Sequence, residues 1–286
     1  MPLAPAQRAL VEEVMGAAVR RDSGLAGGCV AEARLVELAD GGRVVVKLSR
    51  ESGDLELEAW MLAYLGSSSD LPVPGVHLAR PDILIMDYID SGDPICPSAE
   101  RHAAELLAAL HGLGAESYGL ERDTLIGGLA QPNARSRSWV DFFRDRRLLH
   151  MAGEALRAGR LPAGLFGRIE SFAGDIGRFL SEPDRPSLIH GDVWGGNVLV
   201  KDGRIAGFVD PAIYYADPEI ELAFSTLFST FGDAFFARYA ELRPLRPGFF
   251  EVRRDIYNLY PLLVHVRLFG GGYVGAVSAT LARLGY

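Results

Sequence analysis

The segment from Leu188 to Asp210, LIHGDVWGGNVLVKDGRIAGFVD, restricts the fold more than any other part of this chain. An apolar stretch ends at Ile189, a polar glycine-rich break follows, and a second apolar stretch begins at Val198. Asp202-Gly203 then stands between VLV and RIAGFV, a two-residue signal for a β-hairpin turn. With those residues as the turn, Asn197 faces Phe208, and Asp210 lies diagonally from Asn197, about 7–8 Å away at Cα. The break holds His190, Asp192, Trp194 and Asn197. Polar groups beside a core need partners, because burying one unpaired costs about 1–3 kcal/mol. The stretch is therefore an ordinary polar turn, or it is built to hold something.

The hairpin favours the second reading. It aims an amide oxygen and a carboxylate at one point, a donor pair suited to Mg2+, which takes hard oxygen ligands and keeps waters or phosphate oxygens. Asp192 precedes Asn197 by five residues and is left to act as a base. This is the spacing of a kinase catalytic loop and its metal-binding aspartate. A kinase also needs a phosphate loop and a charge-paired lysine. GLAGGC, Gly24 to Cys29, supplies glycines whose N–H groups can approach phosphates, though it fits a plain β-turn equally well. The chain carries only two lysines, Lys47 and Lys201, among 29 basic residues, so a lysine retained against that arginine bias draws attention. Lys47 ends the strand-like RVVVKL, where alternation groups it with Val45 and sets Val44 and Val46 on the other face. In the helix-like stretch that follows, Glu58, Met61, Leu62 and Leu65 share one stripe, so Glu58 faces inward and Lys47 is its nearest cation.

The rest of the chain reads as two regions. A first helix spans about residues 5–21. Strands are expected at CVAEARLVEL, RVVVKL and DILIMDYI, with one internal helix at Leu55 to Leu65. SGDP, Ser91 to Pro94, is a linker, and helices dominate beyond it, interrupted by an irregular stretch near 114–137 and by the hairpin. The expected division is 1–90, a nucleotide-binding lobe, and 91–286, a catalytic and acceptor-binding lobe. A net charge of -8 and a pI near 5.3 argue against nucleic acid or an anionic membrane as the main partner. Two distant cysteines make no disulfide framework and no zinc spacing. Neither a signal peptide nor a membrane-spanning run is visible, so a cytoplasmic location is expected.

Taken together, these parts resemble the fructosamine kinase (ketosamine-3-kinase) family, within the wider aminoglycoside and choline kinase group of protein-kinase-like folds. The resemblance covers nearly the whole chain. It rests on GGC at Gly27 to Cys29, VVVK ending at Lys47, ERDTLIGGLAQPN at Glu121 to Asn133, HGDVWGGNVLV at His190 to Val200, FVDPAIYYADPEIELA at Phe208 to Ala223, and LFGGGY at Leu268 to Tyr273. HGDxxxxN alone indicates only the wide group; the Trp194 variant with DPAxYY and FGGGY is far more specific. The resemblance implies an α+β, two-lobed protein-kinase-like fold with a small β-rich N-terminal lobe and a larger, mostly helical C-terminal lobe. It implies ATP-dependent phosphorylation of the 3-hydroxyl of a ketosamine, whose product sheds the sugar and frees the amine.

By match to the family, Asp192 is the catalytic aspartate, and Asn197 and Asp210 hold Mg2+. Lys47, steadied by Glu58, contacts the ATP phosphates beneath a loop at Gly27, Gly28 and Cys29. Met86, Asp87, Tyr88 and Ile89 form the edge that meets adenine. Trp194, Tyr214, Tyr215, His265 and Tyr273 are acceptor-wall candidates, with core packing as the alternative for Trp194 and His265 and a structural role for one of the two adjacent tyrosines, and Glu221 is a brace for the catalytic loop. The sequence departs from the expected pattern at Ala134-Arg135-Ser136, where an aromatic residue is expected, and this bears on acceptor preference. Two other functions remain open at this stage: a kinase of the same fold for an aminoglycoside, choline or a sugar, and a pseudokinase. The intact set Lys47, Glu58, Asp192, Asn197 and Asp210 argues against the pseudokinase. Cys29, beside phosphate-directed N–H groups, is a candidate redox-sensitive thiol. The sugar, the carrier amine and the oligomeric state are not legible.

Overall fold

The computed structural model describes residues 2–25, 32–49 and 54–286. Gly27, Gly28 and Cys29 lie outside the described residues, and so do the phosphate-loop and thiol readings made for them. The chain separates into two compact units, Met1–Ala99 with Gly196–Pro211, and Glu100–Gly195 with Ala212–Tyr286. Where the sequence division assigns the hairpin to 91–286, backbone packing groups it with the N-terminal residues. The Phe208 N–H donates to the Pro72 carbonyl at 2.8 Å, and the Gly92 N–H to that of Val200 at 3.1 Å.

The first unit is built on a five-stranded antiparallel sheet. Its strands are β1 (Val19–Gly24), β2 (Glu32–Leu38), β3 (Arg43–Leu48), β4 (Val76–Arg80) and β5 (Ile83–Asp87), in the spatial order β1-β2-β3-β5-β4. Alternation gives each face its own core. Val36, Val44, Val46 and Ile85 pack with Val11 of α1 (Pro5–Met15). On the opposite face Val45, Leu84 and Met86 pack with Leu55, Ala59 and Leu62 of α2 (Asp54–Ser68). The first helix stops at Met15, short of the expected residue 21, because Val19 onward joins the sheet as β1.

The hairpin consists of β9 (Val198–Lys201) and β10 (Arg204–Phe208). Its turn falls at Asp202-Gly203 as expected, but the register differs. Arg204 faces Lys201 and Ile205 faces Val200, after which a bulge shifts the pairing so that Phe208 faces Val198. Asn197 therefore stands across from Val209, whose N–H donates to its carbonyl at 3.1 Å. The face predicted for Asp210 does not follow from strand alternation: Asp210 lies past the strand end with φ 54°.

The second unit is mainly helical. α3 (Pro97–Leu110) leads into it. β6 (Thr124–Ile126) and β7 (Leu129–Gln131) form a small hairpin inside the stretch read as irregular. A continuous helical run from Trp139 to Arg157 combines α4 (Trp139–Phe142), a π-helical segment (Phe143–Leu149) and α5 (His150–Arg157). α6 (Ala163–Asp175), α7 (Glu219–Leu227), α8 (Asp233–Leu242), α9 (Arg254–Phe269) and α10 (Gly272–Arg283) complete it. α9 is buried on nearly all sides. A short antiparallel pair, β8 (Ser187–Ile189) with β11 (Tyr214–Ala216), holds the polar break at His190 to Trp194. No helix among the described residues is long and apolar enough to cross a membrane.

Candidate active site

Lys47 is buried near the end of β3, and its ammonium bonds to two carboxylates, Glu58 Oε1 of α2 at 2.6 Å and Asp210 Oδ1. Burial alone would disfavour the charged lysine. The two carboxylates more than offset it and hold the Lys47 pKa above its usual value. Burial, with the Asp210 charge nearby, raises the Glu58 pKa despite the opposing pull of Lys47. Asn197 is buried just before β9, across from the residue that precedes Asp210. Four of the residues singled out in the sequence thus lie in one unit, three of them joined by direct charge contacts. Among the described residues no group of three His, Cys, Asp or Glu could cage a metal. One carboxylate and one carboxamide do fit Mg2+, which needs few protein ligands when phosphates and waters supply the rest. The cation that Asp210 already holds, the Lys47 ammonium, shows that its carboxylate is placed to meet positive charge.

The proposed adenine edge closes β5. Met86 is buried against α2. The Asp87 carboxylate accepts from the Gly75 N–H at 3.0 Å and pairs with His77 at 2.8 Å. The Arg43 guanidinium lies over the Tyr88 ring, 4.4 Å from its centre. The ladder ends at Asp87, so Tyr88 and Ile89 follow as chain outside the sheet.

In the second unit, Asp192 sits in the turn after β8. The Ala212 N–H donates to the His190 carbonyl at 2.8 Å, and the Trp194 N–H to that of Asp192 at 3.2 Å. The Gly191 N–H donates to Glu221 Oε1 of α7 at 2.6 Å. Glu221 Oε2 bonds to His111 Nε2 at 2.8 Å, and His111 Nδ1 to the Tyr239 hydroxyl at 2.7 Å, all buried. Gly191 has φ 87°, and a Cβ there would run into the Ala212 carbonyl oxygen. Only glycine fits that crossing. The turn carrying Asp192 is thus fixed by a buried carboxylate on one side and by β11's approach on the other. From it the chain passes through Trp194-Gly195-Gly196 to Asn197, and returns from Asp210 through Pro211 to Ala212.

Trp194, His265 and Tyr273 come together on the surface, linked by rings not singled out in the sequence. Trp194 meets Phe228 edge-on at 6.4 Å between centres, Phe228 lies 5.0 Å from His265, and His265 lies 5.7 Å from Phe269 and 4.8 Å from Tyr273. Tyr214, an acceptor-wall candidate in the sequence, is a buried core residue. It is 1% exposed, its ring packed on Phe142 with the Arg147 guanidinium 3.8 Å from its centre. β11 alternation turns Tyr214 into the core and leaves Tyr215 half-buried.

The fructosamine kinase family model matches residues 4–285. This chain belongs to that family. Among relatives of the family member, the chloroplastic protein-ribulosamine 3-kinase of Arabidopsis thaliana is 30% identical over 284 residues, 94% of this chain and 84% of the relative. A crystal structure from Thermobifida fusca, named for fructosamine-3-kinase, is 32% identical with a TM-score of 0.85, covering 98% of this chain and 100% of the other. An ADP-bound aminoglycoside phosphotransferase, 15% identical, covers 98% of this chain and 97% of its own with a TM-score of 0.67, which shows a common fold. The fold is α+β and protein-kinase-like, as the sequence motifs imply.

Several residues that support the kinase's second unit escaped the sequence reading. Arg147 Nη2 donates to Asn133 Oδ1 at 2.6 Å, and Asn133 Nδ2 to Thr124 Oγ1 at 2.7 Å. Gln131 Nε2 donates to the Ala212 carbonyl at 3.1 Å, while its Oε1 accepts from the Tyr260 hydroxyl at 2.7 Å. Buried Thr124, Gln131 and Asn133 therefore form a polar support for the backbone at Ala212 and Ile213. Its signal lay in polar residues flanking a Gly-Gly turn in an otherwise apolar stretch.

Proposed function

We propose that this fructosamine kinase family member transfers the γ-phosphoryl group of ATP to the 3-hydroxyl of a ketosamine, which releases the amine when the phosphorylated sugar departs. The observation that carries the reading is the joining of Lys47, Glu58 and Asp210 at one point, in a chain whose whole length fits the family. In this reading the Asp192 carboxylate accepts the proton of the attacking sugar hydroxyl, a poor nucleophile at neutral pH. Asp192 is well suited because Glu221 and the Gly191 crossing hold its turn in place. Lys47 faces the ATP phosphates and stabilises charge on the transferring group, with Glu58 fixing its ammonium. Asn197 and Asp210 would hold Mg2+. When bound, the ion neutralises phosphate charge and orients the phosphates for in-line transfer.

The decisive test is turnover of ATP by the pure protein with Mg2+. Fructosyl-lysine and ribulosyl-lysine are compared with an aminoglycoside and with choline, and Asp192→Asn serves as control. Ketosamine turnover that falls at least 100-fold in Asp192→Asn, and that stops with a chelator and returns with Mg2+, is expected. Turnover of choline or an aminoglycoside with none of either ketosamine would overturn the reading.

A further inference from the structure

A cavity of about 340 Å³ opens within the second unit, and none of the residues lining it is a candidate catalytic, nucleotide or acceptor residue. That volume suits a small ligand. Arg185, Arg243 and Arg246 line it together. Three guanidiniums around one small space call for counter-charge. The buried acids Asp217 and Glu219 supply it to only one of them. Asp217 Oδ2 accepts from Arg246 and, at 2.7 Å, from the Tyr257 hydroxyl. Glu219 takes bonds of 2.6 and 2.8 Å from Arg253, and Arg246 flanks it at 3.2 Å. Two carboxylates are thus engaged by two guanidiniums. Arg185 donates to the Gly112 carbonyl at 2.9 Å, and Arg243 lies beside the Tyr239 hydroxyl, both neutral partners. Asp184, the remaining acid of the lining, is exposed, and counting it still leaves one guanidinium in excess.

A second observation points to a ligand. Ser187 also lines the cavity; it is fully buried, and its hydroxyl has no hydrogen-bond partner among the described residues. Buried hydroxyls are nearly always paired, so a ligand oxygen would complete this one. Several guanidinium forks and a hydroxyl suit the equivalent terminal oxygens of a phosphate better than a single carboxylate, which one fork satisfies. Leu222 and Leu245 line the same space and offer apolar surface to a short carbon frame. The cavity also adjoins the support of the Asp192 turn. Ser187 begins β8, the strand that runs into His190-Gly191-Asp192. The Glu221 carboxylate can only accept, so His111 Nε2 carries the proton between them. Nδ1 of the neutral ring then accepts, and the Tyr239 hydroxyl donates to it at 2.7 Å. Burial raises the Tyr239 pKa, with the Arg243 cation pulling the other way, so the hydroxyl keeps its proton. A cation beside that oxygen strengthens its donation to His111, and the chain of bonds ends at the Gly191 N–H.

We infer that this cavity is an effector site for the dianion of a small phosphate ester, held by Arg185, Arg243, Arg246 and Ser187, and that its occupancy slows turnover by drawing Arg243 away from Tyr239. Binding stands without the ketosamine reading; the effect on turnover rests on it. The test titrates glycerol 3-phosphate into the full chain by calorimetry, with succinate, a dianion of similar size, as comparison at equal ionic strength. Glycerol 3-phosphate should bind saturably and roughly tenfold more tightly than succinate. Arg243→Gln and Arg185→Gln should each weaken it roughly tenfold, and Ser187→Ala several-fold. At saturating Mg-ATP and ketosamine, glycerol 3-phosphate should lower kcat about threefold in the wild type and leave it unchanged in Arg243→Gln. Simple competition at the nucleotide site would raise KM for ATP and spare kcat. No saturable heat, equal affinity for succinate, or binding that survives both arginine substitutions would overturn the site. Binding with an unchanged kcat would overturn its coupling to the Asp192 turn. Binding through Arg243 by a chain that turns over no ketosamine would strike the kinase reading and leave the site standing.

Discussion

Glu221 Oε1 accepts the Gly191 N–H at 2.6 Å, one residue before the proposed base. A buried carboxylate from α7 thus sets the position of Asp192 without being able to reach a substrate itself. Glu221→Ala would leave the Gly191 N–H and the His111 imidazole without that partner, at about 1–3 kcal/mol each. The expected result is a clearly lower Tm and a kcat reduced about 100-fold by misplacement of Asp192, with KM for ATP changed less than about threefold. Thermal melts and steady-state kinetics check it. Glu221→Gln keeps an acceptor and should recover most of the stability; recovery of neither stability nor kcat would refute the bracing role.

Lys47 and Glu58 separate stability from activity. Lys47→Met leaves Glu58 buried beside Asp210 with its cation gone, and breaking a buried pair costs about 3–5 kcal/mol as an upper range, less here because both side chains keep some exposure. It should also lower kcat/KM at least 100-fold through loss of phosphate-directed charge. The double variant Lys47→Met with Glu58→Leu should regain much of the stability and none of the activity. Denaturant unfolding of the four proteins in the cycle gives the coupling directly.

The parts of the fold legible in the sequence are those whose burial is one-sided and periodic. β3 appears with the predicted bounds and faces because RVVVKL is central in the sheet, and each face has its own core. Within that sheet, the two strands not foreseen, β1 as VRRDSG and β4 as VHLAR, are its two edges. Edge strands carry charge that blunts further pairing, and so lose the alternation that would reveal them. The hairpin turn was legible from Asp202-Gly203, but its bulge was not, because an extra residue leaves no mark in composition. Of the site, Lys47 with Glu58 could be read from two local periodicities. The surface ring contacts of Phe228 and Phe269 could not be read, since each looks like an ordinary core residue until the ends of α7 and α9 bring them to Trp194 and His265.

Tyr214 tests the boundary between core and site. Its ring fills the space between Arg147 and Phe142, and burial raises its pKa, so the hydroxyl stays protonated. Tyr214→Phe keeps the stack and should leave ketosamine KM and kcat within about twofold. Tyr214→Ala should cost about 3–5 kcal/mol as a core truncation. A selective rise in ketosamine KM for Tyr214→Phe, with unchanged Tm, would return this residue to the acceptor site.

His265 gives the site a pH dependence of predictable sign. Its pKa in the folded chain is lowered by burial, with the Pro261 carbonyl pulling the other way, while the unfolded chain titrates near about 6.5. The folded state therefore binds this proton less readily than the unfolded state. Stability from the group is complete above the unfolded value and is lost as pH falls through the folded value. Where His265 lines the acceptor wall, as the family match implies, its protonation also places a positive charge beside the cationic amine of a ketosamine. KM for a ketosamine should thus rise as pH falls through the lowered folded-state value of His265, while KM for ATP stays level. His265→Phe should flatten that acid rise and leave the acid limb of kcat, set elsewhere, where it was. Steady-state kinetics of both proteins between pH 5 and 8 decide it, and a KM profile unchanged by the substitution would remove His265 from the acceptor surface.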